Sequence, residues 1–221
     1  MRKLLLAFTA SLSFYVTASL AAEAPAIAQS CASCHQIGNV TETDKTAPPL
    51  FYAGNKYRAD WLEHWLQSPT RIRPAGDFYA NHVKTTDGVD EIDIATLEEH
   101  IAVDASEAAE LTAWLMSLTP YDDLVAASSD YVPGLISPRL GAMDFVKFKG
   151  CGGCHRDTPE YGGLSAPELY TAWKRLQPEF IVSYIKDPVL WEKRSAMPNR
   201  GLNDDQIHKL ANYLKTLATE D

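Results

Sequence analysis

The chain has 221 residues, 46% of them hydrophobic and 22% charged, with a formal net charge of −9. That length has room for one or two domains with real cores, and the composition excludes a disordered chain and a membrane channel. The acidic balance disfavours nucleic acid and anionic membrane surfaces as partners and favours a basic docking patch.

Taken in order, the chain opens with Met1-Arg2-Lys3 and an apolar run from Leu4 to about Leu20, with small residues at Ser19-Leu20-Ala21 and Ala22-Glu23-Ala24. This reads as a signal peptide over residues 1–21 and hence as export. Its removal takes away Arg2 and Lys3 and moves the formal charge to −11. A short helix is expected over about Pro25 to Ser30, followed by Cys31-Ala-Ser-Cys34-His35. Helical periodicity marks Asp60 to Ser68 and Ser106 to Leu118, the latter stopped by Pro120. Tyr121 to Ser137 reads as a linker or a structured crossover. Arg139 to Lys149 reads as a helix ending at Gly150, just ahead of Cys151-Gly-Gly-Cys154-His155. A helix is expected from Pro178 to about Asp187, stopped before Pro188. Met197-Pro198 lies in a loop, and Asn203-Asp204-Asp205 opens a last helix with Ile207, Leu210, Ala211, Leu214 and Leu217 on its apolar stripe. Strand signals are weak throughout.

The chain repeats itself. A shift of 120 residues lays Cys31, Cys34 and His35 on Cys151, Cys154 and His155. A shift of 119 lays Ala47-Pro48 on Ala166-Pro167, Trp61 on Phe180, Trp65 on Tyr184 and Pro69 on Pro188. A shift of 99 lays Leu111, Trp114 and Leu115 on Leu210, Tyr213 and Leu214. The expected division is therefore 22–120 for a first domain carrying an insertion at about 75–98, 121–138 for the linker and 139–221 for a second domain.

A Cys-x-x-Cys-His run is the signature of covalent c-type haem attachment: two thiols for the vinyl groups, and a histidine for the iron. The two runs use all four cysteines of the chain, so no disulfide is expected. A zinc pair or a thiol redox pair is the alternative, but zinc pairs are usually spaced by some 12–20 residues.

These motifs, Met197-Pro198 and the terminal helices resemble class I cytochromes c, and the whole resembles diheme cytochromes c built from two such domains. The resemblance implies an all-α fold, with first and last helices crossing and each domain wrapped around one covalent haem. It implies Cys31, Cys34, Cys151 and Cys154 as the attachment points, His35 and His155 as proximal ligands, and Met197 as the distal ligand of the second haem. The first domain departs from the pattern: the methionine slot falls on Phe78 counting forward and on Glu98 counting back. His100 and His82 are the nearby substitutes, with His100 preferred because it needs less rearrangement of the loop entering the final helix; an open site or another ligand is the third reading. Bis-histidine ligation would set the first haem's potential below that of the second. Arg71 and Arg73 read equally as solvated or as partners of a haem carboxylate.

The functional expectation is a bacterial periplasmic electron carrier with two c-type haems. Its redox partners would be a dehydrogenase or quinol-linked donor and an oxidase or reductase acceptor. The alternatives are a diheme oxidoreductase of thiosulfate or peroxide type, using the first haem as its catalytic site, or a haem-based sensor. Diheme thiosulfate enzymes use a cysteine as distal ligand, and none is left here.

Overall fold

The computed structural model describes residues 23–38 and 45–219; the leader expected at 1–21 lies outside them. The first half contains α1 (Ala28–Cys31), α2 (Ala53–Lys56), α3 (Ala59–Gln67) and, after the inserted segment, α4 (Ala105–Met116). A short α5 (Asp122–Ala126) stands in the connector. The second half contains α6 (Pro138–Met143), α7 (Ala172–Arg175), α8 (Pro178–Lys186), α9 (Pro188–Trp191) and α10 (Asp204–Leu217).

The two long terminal helices start where their side chains dictate. Asp104 accepts from the amides of Ser106 and Glu107 while the Glu107 carboxylate returns to the Asp104 amide. Asn203 and Gln206 make the same reciprocal box at α10, each cap being worth about 1 kcal/mol. The stripe expected on α10 is buried at Ile207, Leu210, Ala211 and Leu214. α6 runs on into a π turn at Asp144–Phe148. It packs on α10 through Gly141, where a Cβ would fall 2.1 Å from a ring carbon of Tyr213.

The all-α expectation is overturned by the inserted segment. Two strands, β1 (Val83–Thr86) and β2 (Val89–Ile92), pair antiparallel with Val83 opposite Ile92 and Thr86 opposite Val89. The fold is mixed, with helices around a two-stranded hairpin. The cause is local: Asp87 and Gly88 take φ of 52° and 79°, the left-handed pair that a two-residue type I′ turn needs. β-branched Val83, Thr85 and Thr86 suit the pleat that follows. The turn dipeptide was a readable hairpin signal, but the strands are almost wholly solvated, so no apolar alternation announced them.

The connector is a structured crossover. Tyr131 is buried, and its hydroxyl donates to Asn212 Oδ1 at 2.8 Å, which also accepts the Gly134 amide at 2.7 Å.

The halves share one core. Tyr52, Phe180 and Trp191 meet there: Tyr52 and Phe180 stack at 6.4 Å, and Phe180 meets Trp191 edge-on at 4.7 Å. Beside them, Tyr57 pairs with Leu176 in an isolated antiparallel bridge. The Arg58 amide donates to the Arg175 carbonyl at 3.0 Å, and the Gln177 amide donates to the Lys56 carbonyl at 2.9 Å. Under the 119-residue shift Tyr57 maps onto Leu176, and these two bonds exchange. The contact is therefore a self-complementary, two-fold-like interface within one chain.

Candidate functional site

Each Cys-x-x-Cys-His run folds as one tight turn. The amides of Cys34 and His35 donate to the Cys31 carbonyl at 3.2 and 2.9 Å, and those of Cys154 and His155 to the Cys151 carbonyl at 3.1 and 3.0 Å. A helical turn of this kind puts the first thiol, the second thiol and the histidine on neighbouring positions of one face. The loops behind are duplicated too. Ala47 donates to the Cys34 carbonyl and Leu50 to Gln36, as Ala166 does to Cys154 and Leu169 to Arg156, all at 2.8–3.1 Å.

The chemistry of the two histidines follows from their partners. His35 Nδ1 lies 2.7 Å from the Pro48 carbonyl and His155 Nδ1 lies 2.7 Å from the Pro167 carbonyl. A carbonyl only accepts, so Nδ1 carries the proton and Nε2 keeps its lone pair for a metal. Burial lowers both histidine pKa values. Neighbouring cations add to this, Lys56 at His35 (with His100), and Arg175 and Arg73 at His155, against the carbonyl bonds. Burial likewise pushes the Cys31 and Cys151 thiols up, whereas a reactive redox cysteine needs its thiol pulled down. Among the described residues no three His, Cys, Asp or Glu side chains gather as a metal-ion site, and a closed zinc site needs four converging ligands.

His100 and His35 are neighbours. Their ring centroids are 6.1 Å apart with planes at 64°. His100 Nδ1 lies 2.8 Å from the Ile101 carbonyl, so Nε2 is the free nitrogen on both rings. With metal–imidazole bonds of about 2 Å, two imidazoles on one metal place their centroids roughly 6 Å apart, and the spacing fits that arrangement. His100 is seated by an aromatic row that starts at Tyr57 and runs along α3. Tyr57 stacks on Trp61 at 5.7 Å, Trp61 on Trp65 at 5.6 Å, and Trp65 meets the His100 ring at 4.6 Å. The Trp65 indole donates to the Thr70 carbonyl at 3.0 Å and is fixed by it. His82 is held elsewhere, at the base of the hairpin, with Nδ1 2.9 Å from the Thr96 hydroxyl and its ring against Gly76. Phe78 is exposed, and the Glu98 carbonyl accepts from Arg71 at 3.0 Å.

In the second half Met197 is half-buried in the loop between α9 and α10. Its amide donates to Ser195 Oγ at 3.2 Å, and Ser195 Oγ pairs with the Tyr184 hydroxyl at 3.0 Å. Tyr184 on α8 thus anchors the methionine loop. Sequence reasoning missed this pair, although Tyr184 aligned with Trp65. It also missed Arg175 beside His155. Arg175 is 4% exposed, donates from Nη2 to the Glu168 carbonyl at 2.6 Å, and keeps a buried Nε with no hydrogen-bond partner 3.7 Å from the Glu168 carboxylate. A buried guanidinium with an unused donor suits a pocket that receives an anionic group.

The inserted hairpin lies against the second motif. Tyr79 and Asp90, hydrogen-bonded to each other, face Gly153, Gly163 and Ser165 across an open pocket of about 480 Å³. No helix among the described residues is long and apolar enough to cross a membrane. Comparison with protein-family models, with curated proteins and with solved structures returned no match.

Proposed function

We propose that this chain is an exported, periplasmic diheme cytochrome c that carries single electrons between protein partners. A covalently held haem in each half supplies a one-electron iron couple when bound. The observation that carries the reading is the duplicated frame, in which a Cys-x-x-Cys-His turn closes on a proline carbonyl 2.7 Å from His Nδ1 in both halves. Cys31 and Cys34 hold the first haem and Cys151 and Cys154 the second. His35 and His155 would hold the two irons through Nε2, with His100 as the second ligand in the first pocket and Met197 in the second.

This ligand set gives the electron a direction. Imidazole donates more strongly to ferric iron than a thioether does, so the first pocket holds the lower potential and the second the higher. If His100 joins His35 and Met197 joins His155 in holding the two haems, neither pocket would keep an iron position for a substrate. That favours a carrier over a thiosulfate- or peroxide-type enzyme or a sensor. The acidic chain suits donor and acceptor proteins with basic docking faces, a dehydrogenase or quinol-linked donor and an oxidase or reductase acceptor.

Low-temperature EPR of the purified ferric protein, with carbon monoxide added to the reduced form, tests the reading. Two low-spin signals and no carbon monoxide adduct are expected. A high-spin first site that takes up carbon monoxide would replace the carrier with an enzyme or sensor.

A further inference from the structure

Residues 71–76 leave the first half after α3 and cross to the second before the hairpin begins. The Glu168 amide donates to the Ile72 carbonyl at 2.8 Å, and the Ala75 amide donates to the Leu164 carbonyl at 3.2 Å. Ala75 is fully buried, so this strap is packed as well as hydrogen-bonded.

The Glu168 N–H belongs to the same planar peptide group as the Pro167 carbonyl, and that carbonyl lies 2.7 Å from His155 Nδ1. One peptide group therefore joins two hydrogen bonds in series. Its N–H donates to Ile72 of the first half, and its oxygen accepts the Nδ1–H of His155. Bonds in such a chain polarise one another, because a peptide whose N–H is donating has a carbonyl that accepts more strongly. Glu168 is itself pinned. It is 3% exposed, its carbonyl accepts from Arg175 Nη2 at 2.6 Å, and its Oε2 accepts the Thr171 amide at 3.0 Å.

The first half has no means of copying this. Under the 119-residue shift Pro167-Glu168 falls on Pro48-Pro49. Pro48 offers the same carbonyl to His35 Nδ1 at 2.7 Å. Residue 49, however, is a buried proline with no N–H to donate. The duplicated loops thus differ behind the histidine: a secondary amide bonded at both ends in the second half, a tertiary amide bonded only at its oxygen in the first.

We propose that the first half of the chain tunes the histidine of the second: the strap at Ile72 polarises the Pro167–Glu168 peptide and strengthens the hydrogen bond that His155 donates. Glu168 is a positioning residue that acts through its backbone N–H. The inference rests on the diheme reading. A histidine that gives a stronger hydrogen bond from its other nitrogen is a more basic ligand, and a more basic axial ligand favours ferric iron and lowers the potential. The strap therefore lowers the potential of the second haem alone, narrowing the interval that the distal ligands set between the two.

The test uses the diheme holoprotein, with haem stoichiometry from the intact mass. In the fully reduced wild type, NMR should show a coupling across the hydrogen bond from the Glu168 amide nitrogen to the Ile72 carbonyl carbon, and its absence would overturn the proposal. Spectroelectrochemical titration then compares Glu168→Pro with Glu168→Ala. Both lose the carboxylate; only the proline also loses the N–H, reproducing the residue found at 49. The expected result is a higher midpoint for the His155 haem in Glu168→Pro than in Glu168→Ala, with the His35 haem the same in both. Pro74→Gly frees the strap between its two bonds and leaves Glu168 intact, and it should raise the second midpoint above wild type. Where Glu168→Pro does not fold, Pro74→Gly decides. Equal second midpoints in the proline and alanine variants, or in Pro74→Gly and wild type, would overturn the proposal, as would a parallel shift in both haems. A wild-type mass without two haems would instead overturn the diheme reading itself, even with the Glu168–Ile72 coupling present.

Discussion

The imidazoles of His35 and His100 stand 6.1 Å apart with their planes at 64°, and each has its Nδ1 already committed to a backbone carbonyl. That leaves Nε2 as the uncommitted nitrogen on both rings, which the proposed pairing of His35 with His100 requires. His100→Ala should open the first site, giving one carbon monoxide adduct per reduced protein and loss of one low-spin EPR signal. His82→Ala should behave as wild type, since its ring is engaged with Thr96 and Gly76. The opposite pattern would make His82 the ligand.

The buried pair of Arg175 and Glu168, 4% and 3% exposed, sits beside His155. Removing one partner leaves a buried charge uncompensated, so Glu168→Gln should cost about 3–5 kcal/mol. Glu168→Met with Arg175→Met should recover much of that loss, because the pair is replaced by apolar volume. Denaturant unfolding of the single and double variants reads both effects. A double variant as weak as the single one would show that the pair contributes more than its mutual charge.

Trp191 is 1% exposed and touches Tyr52, Tyr121 and Phe180, aromatic residues from both halves and the connector. Trp191→Ala should therefore destabilise the whole chain by about 3–5 kcal/mol. Calorimetry should show one cooperative transition in wild type and variant alike. Two separate transitions would mean that the shared core does not couple the halves.

The hairpin responds to its turn. Gly88 has φ of +79° with open space where a Cβ would stand, so Gly88→Ala costs conformation alone, about 1–2 kcal/mol. The loss should be local. Hydrogen exchange should quicken across Val83–Ile92 while the main thermal transition stays in place.

Much of this architecture was legible from residues alone, and what was not has physical reasons. Caps and apolar stripes set α4 and α10, and the expected bounds fell within two residues of the observed ones. The duplicated Ala-Pro dipeptides were visible as a repeat. That their prolines supply carbonyls to the histidines follows only from the folded loop, since a backbone acceptor leaves no mark on residue type. The hairpin stayed hidden because exposed strands need no alternating pattern. Its docking against the second motif depends on contacts between residues nearly ninety positions apart, such as Ala75 with Leu164. His100 and His82 could be ranked but not separated, because the contact of Trp65 with the His100 ring follows from the folded loop and leaves no mark in the spacing.

The bridge between Tyr57 and Leu176 makes the molecule a symmetric dimer written on one strand of polypeptide. An ordinary dimer of small domains falls apart on dilution, because each half must find the other. Here the connector keeps the partner at a fixed, high effective concentration, so the paired arrangement survives at any protein level. Covalent fusion also frees the halves from identity. A change at one end of the axis is no longer copied to the other, which is the condition under which one half could keep its methionine loop while the other acquired a histidine and an inserted arm.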